Sequence, residues 1–108
     1  MLRKSIFAAC LVVAGFTSLP ALAQGPSFNC SRASRPDEVL ICQHAELATL
    51  DRRMAALYDR LRNSLPFGIR RNLIADQTVW LRGRFACGYD YGCVRSAYQQ
   101  RIAELQNY

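Results

Sequence analysis

Cysteine has the widest chemical latitude of any residue type in this chain, and its placement divides in two. Cys10 falls in an N-terminal apolar stretch, while Cys30, Cys42, Cys87 and Cys93 fall in the remainder. Thiols in two close pairs can hold a metal or close disulfides. Neither pair has the C-x-x-C spacing of a zinc site, and His44 is the only histidine to complete one, so no metal site is expected. Four cysteines allow three pairings, and sequence alone does not choose among them. The short separations make Cys30 with Cys42 and Cys87 with Cys93 attractive, each closure stabilising the fold by roughly 2 to 3 kcal/mol in chain-entropy accounting.

Catalytic constellations are missing. His44, between Gln43 and Ala45 at a helix junction, reads as a capping or exposed imidazole. Asp37 and Glu38 are adjacent, and Glu46 and Asp51 point different ways on a helix, so no two acids face each other across a cleft as sugar hydrolysis requires. No serine nucleophile pattern and no cofactor motif is present. Neither an enzyme nor a cofactor is expected.

Oxidised cysteines require an exporting context, and residues 1–23 supply one. A basic start (Arg3, Lys4), an apolar run from Ile6 to about Phe16 and the sequence Ala21-Leu22-Ala23 form a signal peptide with cleavage expected before Gln24. The apolar run, interrupted at Gly15, is shorter than the roughly 20 residues of a bilayer-spanning helix. Too few apolar residues precede Cys10 for it to mark a lipid attachment. A periplasmic or secreted protein follows, with no stable membrane insertion after cleavage.

Of 108 residues, 85 remain after residue 23, one domain with a thin core for which covalent staples are expected. Removing Arg3 and Lys4 from 14 cations leaves 12, all arginine, against 8 acids, a net charge of +4. That surplus is neither large nor clustered enough for nucleic-acid binding, and no reading motif accompanies it.

The pattern from Gln24 onward is helical. Gln24 to Ser34 is an irregular lead-in; Ser34 is expected to cap a short helix ending near Cys42 or Gln43, with Pro36 near its first position and Asp37 and Glu38 against its positive end. Leu47, Leu50, Met54, Leu57 and Leu61 form a stripe that predicts a helix from about Ala45 to Ser64. Pro66-Phe67-Gly68 breaks the chain. Further helices are predicted from about Ile69 to Ala86, capped by Gly88, and from about Tyr91 to Gln106. With no strand of alternating polarity, the fold class is all-α: a small disulfide-stapled bundle of one short and three longer helices. The second and third helices are expected to pair antiparallel, with the fourth folded over them.

Glu38, Ile41-Cys42, Glu46-Leu47, Leu50-Asp51 and Tyr58, then Gln77, Trp80-Leu81, Arg84 and Cys87, and finally Cys93, Tyr98, Arg101-Ile102 and Leu105 stand in an order that resembles the lysozyme-inhibitor LprI-like family. The likeness covers nearly all of residues 24–108. It implies a helical, disulfide-linked envelope domain that binds a protein, a lysozyme being the named candidate. His44 stands where the family often has Asp or Asn, which puts the helix cap there in doubt.

Two groups of residues are candidates for more than packing. Gln77, Trp80 and Arg84 line one helical face, where Arg84 can lie over the indole and reach Asp51 on the neighbouring helix as a structural polar clasp. Cys87-Gly88-Tyr89-Asp90-Tyr91-Gly92-Cys93 sets Tyr89, Asp90 and Tyr91 between glycines in a segment that a disulfide would close, the composition of a recognition loop. Those three residues are the candidate partner-binding site, occluding a lysozyme. An alternative is an envelope interaction module with no lysozyme role, binding another exported protein or an anionic wall polymer through Arg52, Arg53, Arg70 and Arg71.

Overall fold

In a computed structural model of the chain, Gly15 and residues 24–108 are described. The signal segment, its cleavage point and Cys10 lie outside the described residues. A 3₁₀ turn at Cys30–Arg32 leads into four helices: α1 (Pro36–Gln43), α2 (Ala45–Ser64), α3 (Phe67–Ala86) and α4 (Tyr91–Gln106). No strand occurs among the described residues.

Local chemistry sets most of these boundaries. Pro36 opens α1, where its missing N–H leaves no donor unpaired. The N-cap is Arg35 rather than Ser34, and it makes no side-chain capping bond. His44, in extended conformation between α1 and α2, likewise caps nothing with its side chain. Leu65 and Pro66 separate α2 from α3, with Pro66 as N-cap, so Phe67 and Gly68 are already helical and the break is tighter than the sequence suggested. Gly88 ends the third helix at φ +58, a left-handed conformation that glycine reaches without strain, and its N–H donates to the carbonyl of Phe85 at 3.2 Å.

Packing departs from the expected α2–α3 hairpin. The most extensive contact is between α2 and α4, while α2 and α3 touch far less. Ile41, Leu47, Leu73, Val94 and Tyr98 are completely buried, so every helix contributes to one core. Tyr98 is the largest of the fully buried side chains, and it brings a hydroxyl into that core. Disulfides join Cys30 to Cys42, tying the lead-in to α1, and Cys87 to Cys93, closing the turn between α3 and α4.

Candidate functional site

A buried hydroxyl requires partners, and Tyr98 finds them in a charged cluster at the helix junction. It donates to Asp51 Oδ1 at 2.8 Å and accepts from Arg84 Nη1 at 3.0 Å. Arg84 Nε donates to Asp37 Oδ2 at 2.8 Å, while its Nη1 stands 4.0 Å from Asp51. Asp37 is wholly buried in the first turn of α1, where the helix dipole favours a carboxylate. Asp51 takes a further bond, 2.6 Å, from the backbone N–H of Ser27. Rings of Phe28, Trp80, Phe85 and Tyr98 surround the guanidinium of Arg84 within 6 Å. Burial above all pushes the Tyr98 hydroxyl well above its ordinary pKa, so it remains a donor at any physiological pH.

Of the predicted clasp, Asp51, Trp80 and Arg84 do converge. Gln77 belongs to a second cluster beside them, accepting from Arg101 Nε at 2.9 Å and donating to Met54 Sδ. Arg101 also reaches Glu104, at 3.1 Å. The principal carboxylate for Arg84 is Asp37, which the sequence offered only as a helix-end charge. Tyr98 and Arg101 were visible as motif positions, but nothing in their spacing disclosed what they bind.

The Cys87–Cys93 loop is organised differently. Asp90 is the N-cap of α4, accepting from the Cys93 N–H at 3.0 Å, while its own N–H donates to the Cys87 carbonyl. Tyr91 turns back to the start of α2: its hydroxyl donates to Glu46 Oε2 at 2.6 Å and its ring meets the edge of His44. The Glu46 hydrogen bond, above its other neighbours, raises the Tyr91 pKa. Arg95 pairs with the other Glu46 oxygen at 2.8 Å. Tyr89 alone among the three is uncommitted, projecting with 68% of its surface exposed.

The four arginines considered for an anionic polymer are partly occupied. Arg52 holds the carbonyls of Gln24 and Gly25, Arg70 donates to the Leu65 carbonyl, and Arg71 lies over Phe67. Among the described residues no group of three or more His, Cys, Asp or Glu side chains is arranged to hold a metal ion, and no helix is long and apolar enough to cross a membrane.

Four helices around a charged interior, with two disulfides and one exposed tyrosine on a closed turn, define a small disulfide-linked all-α domain. The family profile described as "Lysozyme inhibitor LprI" matches residues 30–105, and the chain belongs to that family. Similar relatives are the proteins named lipoprotein LprI of Mycobacterium tuberculosis and Mycobacterium bovis, 31% identical over 84 residues, which is 75% of this chain and 41% of theirs. The chain thus spans about two-fifths of the length of those relatives. No solved structure matches it significantly.

Proposed function

We propose that this protein is an exported, periplasmic or secreted inhibitor that blocks a lysozyme through the Cys87–Cys93 loop, with no catalytic step of its own. Family membership supports the class of partner; the observation that carries the site is Tyr89, exposed in a turn closed by a disulfide. Binding by such a turn orders little new backbone, and a tyrosine offers a large contact area with few rotatable bonds. Asp90 and Tyr91 act by shaping the loop, since the Asp90 carboxylate caps α4 and the Tyr91 hydroxyl is bound to Glu46.

Charge works against a basic partner. A domain of +4 is repelled at long range by a basic lysozyme, so raising ionic strength should speed encounter while leaving the tyrosine contact intact. The test adds the oxidised protein to several lysozymes and follows cell-wall lysis. Inhibition lost in Tyr89→Ala at unchanged stability supports the reading; full lysis at excess protein rejects it. Binding to anionic wall polymer that disappears with salt would instead establish the envelope module.

A further inference from the structure

The seam between α3 and α4 is open. Two hollows of about 430 and 350 Å³ lie along it, sharing Trp80 and Gln100. The first is bordered by Asp76, Val79, Glu104 and Tyr108; the second by Gly83, Ser96, Ala97 and the Cys87–Cys93 disulfide. From Asp76 to Cys87 at 1.5 Å per helical residue the seam runs about 16 Å, the reach of a short oligomer rather than of a single small molecule.

Three observations select the ligand chemistry. First, the indole of Trp80 is fixed in place by its N–H donating to the Ala97 carbonyl at 2.9 Å, and it remains half-buried at the junction of the hollows. Second, the polar groups mix donors with acceptors. Tyr108 donates to one oxygen of Asp76 at 2.8 Å and Arg101 to one oxygen of Glu104, which leaves the second oxygen of each carboxylate to accept. The Gln100 carboxamide and Ser96 hydroxyl have no hydrogen-bond partner among the described residues. Third, charge disfavours both kinds of ion. Asp76 and Glu104 repel an anion, whereas Arg101 at the floor offsets one of these two carboxylates and the +4 domain repels a cation at long range. A ligand that is neutral, rich in groups that both donate and accept, and has an apolar face for an aromatic ring meets all three conditions.

We propose that the α3–α4 groove centred on Trp80 binds a short neutral oligosaccharide strand, independently of the lysozyme contact. Trp80 supplies the platform, Gln100, Ser96, Asp76 and Glu104 address hydroxyl or acetamido groups, and Gly83 leaves the depth that the strand enters. A Cβ at Gly83 would meet nothing within 4 Å, so the backbone accepts a side chain there and Gly83→Leu is expected to project into the groove.

Trp80 is the only tryptophan of the chain, so its emission reports on the groove directly. The oxidised protein is titrated with chitotriose and cellotriose, and in parallel with trigalacturonate and an arginine-containing tripeptide. The amide NMR signals of Ser96, Ala97 and Gln100 serve as a second readout. A saturable response to a neutral trisaccharide below about 10 mM is expected, weakened about five-fold in Gln100→Ala through one lost hydrogen bond and abolished in Gly83→Leu. Circular dichroism confirms that both variants are folded. The proposal is overturned by silence toward both neutral saccharides, by a response confined to the tripeptide or equally strong with trigalacturonate, or by binding that persists in Gly83→Leu. None of these outcomes depends on whether lysozyme is inhibited.

Discussion

The charged cluster around Arg84 and the loop around Tyr89 both use aromatic and ionised residues, yet to opposite ends. Around Arg84 the polar groups are buried and aimed at one another, with two carboxylates, one guanidinium and one hydroxyl joining α1 to α4. In the loop the polar groups are exposed, and those of Asp90 and Tyr91 only steady the backbone that displays Tyr89. Burial converts polar residues into scaffold because each must find its partner inside the protein, whereas exposure leaves a side chain available to something else.

If that contrast is correct, substitutions in the cluster should act on stability and those in the loop on binding. The largest effect is expected from Arg84→Met, which strands Asp37 and Asp51 as buried, uncompensated carboxylates and should destabilise by about 3 to 5 kcal/mol in urea unfolding with the disulfides intact. Tyr98→Phe should lose about 1 to 3 kcal/mol, having removed two buried hydrogen bonds.

Tyr98 also sets an alkaline limit. Its folded pKa lies above the ordinary 10.0, so the folded state holds the proton that the unfolded chain releases, and stability present at lower pH should decline as pH rises beyond 10.0. Unfolding between neutral and alkaline pH should show this slope flattened in Tyr98→Phe, though not erased, because Tyr91 and Tyr108 are shifted in the same direction.

Smaller effects should follow in the loop. Replacing Cys87 and Cys93 together with serine opens a short closure worth about 2 kcal/mol, and should weaken partner binding as the turn loosens. Asp90→Ala removes the α4 cap at about 1 kcal/mol, detectable as faster amide exchange at Cys93. Tyr89→Ala should leave stability within about 0.5 kcal/mol while abolishing the proposed contact. A Tyr89 variant that unfolds as readily as an Arg84 variant would erase the distinction.

The helices were legible because each follows from neighbours in sequence. The stripe from Leu47 to Leu61, Pro36 at the start of α1 and Gly88 beyond α3 are local signals, and α2 and α4 fall where they predict. Ser34 lost the capping position to Arg35, a difference within the one or two residues by which helix starts vary. The Arg84 cluster was only half visible. Trp80 lies one helical turn from Arg84 and Asp51 was reachable on the helix before it, but Asp37 is 47 residues from Arg84 and bears no local mark of their pairing. Asp90 shows the converse, its residue type announcing a cap as plainly as a binding group.

By itself the sequence determined what depends on short range: the helical periodicities, their breaks, the pairs of cysteines near enough to close small loops, and a residue order sufficient for family membership. Tertiary structure decided which carboxylate neutralises Arg84, that α4 rather than α3 is the principal partner of α2, and that Tyr89 alone of its loop is free. The physical reason is that propensity and capping act over a few residues, while pairing of buried charge is settled only when distant segments are excluded from water together.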